Sequence, residues 1–507
     1  MKHYLGIELG STRIKAVAID ETFAPVSSGD YTWKSSFENG VWTYPLEDAW
    51  TGLKAAIAGI KDRDGIAVMG ISAMMHGLLA FDRDWKLLTP FRTWQNTMTA
   101  EAAEKLTACF GFNIPQRWSV AHLYQAVLNG EPFVSEIAHI TTLAGYIHFM
   151  LTGVNAVGIG EASGMFPIDS ETLTYDEEML RKFEALTADQ PWNIREVLPG
   201  VLLAGQDAGK LTEQGAALLD GLLPVGIPFA PAEGDAGTGM TATNAVAPRT
   251  GNVSADTSIF SMVVLEKPLK KVYPEIDLVS TPTGKAVAMV HWNNCTSDMN
   301  AWAGILRETA ELFGGEVDTG TLYTKLYQKS LEGDPDCGGI ITYNYLAGEG
   351  VTHLDGGRPM VVRRPDSRFT LANFLRSQLY ATMATLKIGM DILAEEGVAI
   401  DSLTGHGGLF KTEGVAQQYL ADALRSPVTV LQTAGEGGAY GMAILAAYRR
   451  DAEGLSLPDY LERRVFQNAL SATVGPDPAG AADFAAWLAD YRRLLPARNQ
   501  AADAWNS

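Results

Sequence analysis

Two short segments, one at the start of the sequence and one near its middle, follow the same plan of apolar run, small polar turn and second apolar run. In the first, residues 4–9 and 14–19 flank Gly10-Ser11-Thr12; in the second, residues 250–266 enclose a polar cluster at 254–258. Each pattern predicts strand, tight turn, strand. About 246 residues separate Gly10 from Asp256 in a chain of 507. The repeat therefore predicts two related domains with a ligand in the crevice between them.

The rest of the chain alternates short apolar runs with amphipathic stretches, which is typical of an α/β fold. Residues 66–71 predict a strand, and residues 100–109, 177–185, 371–394 and 417–424 predict helices. Pro and Gly cluster over residues 226–251, which places a domain boundary near residue 246. We thus expect an N-terminal domain over 1–246 and a C-terminal domain over 247–507 that ends in a helical tail.

Charge and cysteine content exclude several classes of protein. Lys and Arg number 39 against 59 Asp and Glu, a net charge of −20, which disfavours nucleic acid and anionic membranes as partners. The three cysteines, Cys109, Cys295 and Cys337, are too widely spaced for a CxxC metal site. Glu8, Arg13 and Lys15 interrupt the apolar start of the sequence, which argues against a signal peptide. No apolar run of 18 residues occurs, which argues against a transmembrane helix. We expect a cytoplasmic protein.

Four common catalytic motifs are absent from the sequence. It contains neither the GxxxxGK[ST] of a P-loop nor a GxGxxG after its first strand, and neither HExxH nor GxSxG. These absences argue against a P-loop nucleotide site, a dinucleotide-dependent oxidoreductase, a zinc protease and an α/β-hydrolase. A phosphate ligand would have to be bound in another way.

Two local patterns suggest how phosphate chemistry could be arranged. A hairpin tip of Gly10, Ser11 and Thr12 can present backbone N–H groups and hydroxyls to a phosphate, and Lys15 could add positive charge. Asp235, in a Gly-rich segment over 234–239 that we expect to be a loop, could accept a proton from a substrate hydroxyl. The same residues also form ordinary turns; the second, similar hairpin favours the phosphate interpretation.

Four segments, in this order, then carry a resemblance to a known family. They are 6–15 (GIELGSTRIK), 70–77 (GISAMMHG), 234–235 (GD) followed by 256–258 (DTS), and 404–408 (TGHGG). They resemble the GIDLGTSxxK, GISGQMHG, catalytic Gly-Asp, Gly-Thr-Ser and TGGGA motifs of the FGGY family of carbohydrate kinases, and the second is similar to that of xylulose kinases. The resemblance covers nearly the whole chain. It implies two actin-like (ribonuclease H-like) domains with a ligand cleft between them.

The resemblance also implies a set of site residues. Asp235 would be the catalytic base and contact the substrate, together with Met75, His76, Trp94 and Asn96. Glu8 would hold Mg²⁺ through water. The residues that would bind ATP are Gly10, Ser11, Thr12, Lys15, Thr257, Ser258, Gly405, Gly407 and Gly408.

Several positions depart from the family pattern. Glu8 replaces Asp, Asp256 replaces Gly in the second hairpin, and residues 94–98 (WQNTM) replace WNDGR. Met74 and Gly350 likewise replace Gln and Arg. One interpretation of these differences is that the protein uses an unusual sugar as its substrate. The other is a weakened relative that binds ATP and acts as a sugar-responsive regulator or ATPase.

Because Asp235 is kept, we expect a kinase that uses Mg-ATP. Its acceptor would be a hydroxyl of a small sugar, most simply a ketopentose such as xylulose or ribulose. The expected partner is this small-molecule sugar, with no nucleic acid and no membrane. The sequence leaves open whether the protein forms a homodimer.

Overall fold

The computed structural model describes residues 2–352, 354, 356–431 and 437–506. The chain forms two compact units, each assembled from discontinuous segments. The first unit comprises Met1–Pro248, Lys271–Val287 and Glu436–Ala469, and the second comprises Arg249–Lys270, Ala288–Gly435 and Leu470–Ser507. No helix among the described residues is long and apolar enough to cross a membrane.

The strands are short, and the two larger sheets contain the two hairpins. The strands are β1 His3–Leu9, β2 Arg13–Ile19, β3 Pro25–Thr32, β4 Ser36–Glu38, β5 Val41–Thr43, β6 Ile66–Ala73, β7 Leu79–Phe81, β8 His139–Thr141, β9 Ala156–Gly158, β10 Ile168–Asp169, β11 Thr174–Tyr175, β12 Gly200–Leu202, β13 Glu233–Gly234, β14 Thr250–Ala255, β15 Ile259–Val264, β16 Asp277–Ser280, β17 Ala286–Trp292, β18 Ile340–Tyr343, β19 Met360–Arg363, β20 Ser402–His406, β21 Val428–Leu431 and β22 Ser471–Val474.

Helices connect and cover these strands. They are α1 Leu46–Ala58, α2 Ala100–Phe110, α3 Ser119–Leu128, α4 Leu143–Thr152, α5 Ile159–Ala162, α6 Glu177–Leu186, α7 Ile194–Val197, α8 Glu213–Leu218, α9 Asp235–Ala242, α10 Ser297–Leu312, α11 Thr319–Ser330, α12 Leu371–Glu395, α13 Ala416–Leu424, α14 Gly437–Asp451, α15 Leu457–Tyr460 and α16 Pro478–Asn506. The α/β class is confirmed.

The main sheet of the first unit has the order β13-β6-β1-β2-β3. β1 pairs with β2 antiparallel and with β6 parallel. Alternate residues of β1 point to opposite faces: Leu5, Ile7 and Leu9 enter a core with α1 and α4, whereas Gly6 faces α14. A Cβ on Gly6 would lie 2.0 Å from the carbonyl oxygen of Ala439. Glycine at position 6 therefore lets α14 pack directly on β1.

The second unit repeats this arrangement. Its strands lie in the order β17-β15-β14-β20-β21-β22, with β14 antiparallel to β15 and parallel to β20. Each unit thus contains a hairpin whose first strand also pairs with a later parallel strand. Both predicted hairpins are confirmed, as are the predicted strand at 66–71 and the four predicted helices.

The Gly-rich segment after Gly234 is helical, so the expectation of a loop over 234–239 is wrong. Asp235 is the first residue of α9. Two glycines cost such a helix about 1 kcal/mol each relative to alanine, but tertiary packing can override this cost. α9 packs closely on α14, because a Cβ on Gly441 would lie 1.9 Å from the carbonyl oxygen of Thr238.

Candidate active site

The tip of the first hairpin, between β1 and β2, is held from outside through its carbonyl groups. Trp33 Nε1 donates to the Gly10 carbonyl at 2.7 Å, and the Tyr44 hydroxyl donates to the Ser11 carbonyl at 2.6 Å. The two aromatic rings pack with their centroids 4.4 Å apart. We call Trp33 and Tyr44 the aromatic clamp.

The clamp leaves the amides of the tip available to a ligand. Gly10 N–H closes the turn on the Arg13 carbonyl at 3.0 Å. Within the described part of the chain, the backbone amides of Ser11 and Thr12 have no protein acceptor, and both residues are exposed. Adjacent N–H groups of this kind can bind an anion. The hairpin has the features that the sequence predicts for a phosphate site.

Glu8 and Lys15 lie opposite each other on β1 and β2, so their side chains share one face of the sheet. Glu8 Oε2 accepts a hydrogen bond from the Ala439 amide of α14 at 3.3 Å. Burial, and then the nearby Asp235 carboxylate, raise the pKa of Glu8 to about 7. Glu8 therefore joins α14 to the first hairpin and lies close to Asp235.

The second hairpin is held in a similar way by residues that precede or begin α10. The carbonyl of Asp256 accepts from Thr296 N–H at 3.1 Å and from Thr296 Oγ1 at 2.6 Å. The carbonyl of Thr257 accepts from Cys295 N–H at 3.0 Å. Among the described residues, the amides of Thr257 and Ser258 have no protein acceptor. This tip also presents amides that could bind phosphate.

The glycines at 405, 407 and 408 surround the end of β20. A Cβ on Gly405 would lie 2.9 Å from the Phe410 ring, and one on Gly407 would lie 2.5 Å from the Ala255 carbonyl. Gly407 also has φ +102°, which is strained for other residues. Close packing and backbone conformation therefore require glycine here, whatever the loop binds.

Asp235 accepts a hydrogen bond from a backbone amide in the loop that follows β6. Its Oδ1 accepts from Met75 N–H at 3.3 Å. The residue retains exposed surface, but partial removal of the carboxyl group from water raises the pKa of Asp235 to about 6. The Met75 amide, the Ala236 amide and the Arg117 charge oppose this rise. A Cβ on Gly234 would lie 2.1 Å from Met75 Cγ, so glycine before Asp235 permits this contact.

His76 lies in a backbone conformation that is uncommon for its residue type. Its φ is +73°, and such outliers persist where surrounding bonds hold them. The next residue provides these bonds, since Gly77 N–H donates to the Arg117 carbonyl at 2.8 Å and Ser119 Oγ donates to the Gly77 carbonyl at 2.6 Å. Burial holds the pKa of His76 well below its usual range. The imidazole is neutral.

The neutral imidazole has one ring nitrogen engaged by the protein. Nδ1 lies 3.3 Å from the Gly164 carbonyl, which assigns the ring proton to Nδ1. Nε2 is then an acceptor that could receive a substrate hydroxyl.

Arg117 lies near Asp235 and His76, and the sequence analysis missed it. It forms an ion pair with the buried Asp277, and its charge lowers the pKa values of both Asp235 and His76. The pattern WQNTM at 94–98 lacks the arginine of the family pattern, and Arg117, from a different part of the chain, places a guanidinium near Asp235. No motif of the sequence marks it.

Trp94 and Asn96 differ in what they can offer a substrate. Trp94 is 39% exposed. Asn96 is buried, and its amide accepts from Trp42 N–H and donates to the Trp42 carbonyl, both at 2.8 Å. The side-chain amide of Asn96 is therefore already hydrogen-bonded to the protein. This geometry does not favour the predicted direct contact between Asn96 and a sugar, which stays a prediction.

Two further buried carboxyl groups lie near Asp235. Glu233 accepts hydrogen bonds from the Gly160 and Glu161 amides, at 3.3 and 3.0 Å, and burial raises its pKa to about 8. A Cβ on Gly234 would lie 2.5 Å from Glu161 Oε2, and burial raises the pKa of Glu161 well above its usual range. Burial thus disfavours the charged form of both carboxyl groups.

The predicted site residues are thus distributed over the two units. The first unit contains Glu8, Lys15 and the first hairpin in its main sheet, with Met75 and His76 in the loop after β6 and Asp235 at the start of α9, directly after β13. The second unit brings the second hairpin beside Gly405, Gly407 and Gly408, because β14 pairs with β20. Among the described residues, no group of three or more His, Cys, Asp or Glu side chains could hold a metal by itself.

The chain is similar to known sugar kinases in both sequence and structure. The xylulose kinase of Haemophilus influenzae is 24% identical over 469 residues, which cover 88% of this chain and 90% of the relative. Two solved structures from Lactobacillus acidophilus, a ligand-bound xylulose kinase and a gluconate kinase, each align with a TM-score of 0.81 at 18% identity over 98% of both chains. These neighbours show the fold, which is the actin-like (ribonuclease H-like) one that the resemblance implied.

The family assignment itself comes from the two halves of the sequence. Residues 3–241 match the N-terminal domain of the FGGY family of carbohydrate kinases, and residues 251–450 match its C-terminal domain. With two hairpins, each beside a parallel strand, and with Asp235 joined to the loop after β6, this chain belongs to the FGGY family of carbohydrate kinases.

Proposed function

We propose that this sugar kinase transfers the γ-phosphoryl group of ATP to a hydroxyl of a ketopentose of the xylulose or ribulose type, with Asp235 as the general base. The observation that supports this proposal is the hydrogen bond from Met75 N–H to Asp235 Oδ1 at 3.3 Å. It joins the base to the Met75-His76 pair, whose sequence is similar to that of xylulose kinases.

Each residue has a defined part in the proposed reaction. Asp235 accepts the proton of the sugar hydroxyl as that oxygen bonds to the γ-phosphorus, and the bond from the γ-phosphorus to the bridging oxygen of ADP breaks. His76 Nε2 orients a second hydroxyl of the sugar. The charge of Arg117 favours the ionised form of Asp235, since it lowers the pKa of that carboxyl.

The residues present fit a magnesium ion that is held largely by phosphate and water. Mg²⁺ commonly takes only one or two carboxylates and keeps several waters, and Glu8 supplies a carboxylate near Asp235 and the first hairpin. We propose that Glu8 holds Mg²⁺ through water, where the ion would neutralise charge on the phosphates. Ser11, Thr12 and Lys15 in the first unit, and Thr257, Ser258 and the three glycines in the second, would bind ATP.

A substrate panel tests the proposal. ADP release would be measured with Mg-ATP and a set of ketoses, aldoses and polyols that includes xylulose, ribulose, gluconate and glycerol, and the sugar phosphate would be identified by mass spectrometry. We expect ADP release to depend on a ketopentose and to disappear in Asp235→Asn. ADP release without any sugar, or nucleotide binding without turnover, would instead support the ATPase or regulator.

A further inference from the structure

Asp256, at the tip of the second hairpin, uses its carboxylate to hold the glycine turn that follows β20. Asp256 Oδ1 accepts a hydrogen bond from Gly408 N–H at 2.6 Å. The other carboxylate oxygen, Oδ2, lies 2.8 Å from the position that a Cβ on Gly407 would occupy. The carboxylate is therefore seated directly against the backbone of Gly407 and Gly408.

Strand register explains why Asp256 reaches this turn. β14 and β20 are parallel, and Ser254 pairs with His406. Asp256 and Gly408 each lie two residues beyond this pair, so they come level just past the ends of the strands. A residue at position 256 can therefore span the gap, and glycine, which the family pattern has there, cannot.

The backbone of Asp256 is fixed on its other side. Its N–H donates to the Ser258 carbonyl at 2.9 Å, and its carbonyl accepts the two bonds from Thr296 described above. The hydrogen bond to Gly408 thus connects a well-held hairpin tip to a turn of two consecutive glycines. Such a turn loses more conformational entropy on ordering than any other dipeptide.

We propose that Asp256 is a positioning residue that holds the Gly407-Gly408 turn in its bound conformation before the nucleotide arrives. This inference rests on the proposed role of that turn in ATP binding. A turn that is ordered in advance spares the nucleotide the entropy loss of ordering it, and affinity rises accordingly. The carboxylate bonds to Gly408 rather than to the tip amides of Thr257 and Ser258, which leaves those amides for phosphate.

Three substitutions separate the hydrogen bond from the charge. Asp256→Ala and Asp256→Gly remove the acceptor, whereas Asp256→Asn keeps an acceptor oxygen and removes the charge. We expect the first two to raise the KM for ATP about tenfold, with kcat at saturating ATP and the KM for sugar changed less than twofold. Asp256→Asn should restore the KM for ATP to within about twofold of the wild-type value. Because Asp256 is exposed, these changes leave the hydrophobic core intact.

A measurement that does not depend on catalysis tests the hydrogen bond itself. Hydrogen–deuterium exchange would be followed by mass spectrometry in peptides that span residues 405–411, and ADP affinity would be measured by calorimetry. We expect faster exchange and weaker ADP binding in Asp256→Ala, and near wild-type behaviour in Asp256→Asn. Asp366→Ala, at an exposed aspartate of the same unit, is the control.

Each result has a separate meaning. Unchanged exchange at 405–411 in Asp256→Ala, or unchanged or tighter ADP binding, would overturn the inference. Equal loss in Asp256→Asn and Asp256→Ala would overturn it too, because the charge and not the acceptor would then matter. If no sugar is phosphorylated but Asp256→Ala still loosens the turn and weakens ADP binding, the proposed kinase reaction fails and the role of Asp256 stands.

Discussion

The pKa of Asp235 is raised by one part of its surroundings and lowered by others. The surrounding protein raises its pKa to about 6, while the Met75 and Ala236 amides and the Arg117 charge keep it from rising further. A general base must be ionised at the working pH, and it accepts a proton more readily as its pKa approaches that pH. At neutral pH a carboxyl of pKa about 6 meets both conditions.

Replacing Asp235 by Asn should remove the base and keep its shape. We expect kcat to fall by at least about 10² and ATP affinity to stay nearly unchanged, because the carboxylate acts on the acceptor hydroxyl. In the wild-type enzyme, kcat/KM for the sugar should fall about tenfold per pH unit below about 6, as Asp235 becomes protonated. Steady-state kinetics from pH 5 to 8 measure both effects. Full activity in Asp235→Asn would show that another group is the base.

Glu8 combines a structural contact with the proposed metal role, and three variants separate the two. Glu8→Gln keeps an acceptor for the Ala439 amide, which Glu8 Oε2 receives at 3.3 Å, but lacks the charge. We expect it to raise the Mg²⁺ concentration for half-maximal activity several-fold with a small change in melting temperature. Glu8→Ala should show the same Mg²⁺ effect and also lower the melting temperature, while Glu8→Asp should be mild in its Mg²⁺ effect. An unchanged Mg²⁺ requirement in Glu8→Gln would argue against a metal role.

At the scale of elements, the two hairpins, four internal helices and the helical tail could be predicted because their signals are local. Apolar periodicity and the Gly10-Ser11-Thr12 turn are visible within about twenty residues of sequence. The start of α9 at Asp235 could not be predicted, because its stability depends on the distant helix α14. Arg117 was missed for the same reason: its proximity to Asp235 is created by the fold and by no motif.

The aromatic clamp is likewise a contact between separate elements, and it can be tested. Tyr44→Phe removes the hydroxyl that donates to the Ser11 carbonyl at 2.6 Å and keeps the ring against Trp33. Loss of this hydrogen bond should cost about 1 kcal/mol of stability and loosen the phosphate-binding tip. We expect the KM for ATP to rise about threefold to tenfold, with a small change in kcat.

Another buried tyrosine of the first unit gives a matched control for the clamp. Tyr146 also packs against a tryptophan, and its hydroxyl accepts from Trp50 Nε1 at 3.4 Å, but it does not contact the hairpin tip. Tyr146→Phe should therefore leave the KM for ATP unchanged. Equal effects of the two variants on this KM would show that the clamp has no specific role.

At the scale of the whole molecule, several acidic groups of the first unit take up protons when the chain folds. Asp235, with a pKa of about 6, and Glu233, with a pKa of about 8, both lie above their ordinary values of 3.8 and 4.5. A carboxyl whose pKa is higher in the folded state stabilises the protein fully below its unfolded pKa. That contribution is lost as the pH rises from the unfolded pKa to the folded pKa, since over this interval the native state binds more protons than the unfolded one.

Stability should therefore decrease as the pH rises from about 6.5 to about 8, the folded pKa of Glu233. Glu233, which is 1% exposed, contributes to this decrease because its ionisation would place a charge in the interior, at a cost on the order of 2–4 kcal/mol. Thermal melts at constant ionic strength measure this decrease, and Glu233→Gln should flatten it because the titrating group is gone. Buried His122 and His148, with pKa values of about 3 and 4, oppose folding only at lower pH, where they are charged in the unfolded chain. Glu171→Gln, at an exposed position of the same unit, should keep the wild-type slope; an equally steep decrease in Glu233→Gln would place the titrating protons on other groups.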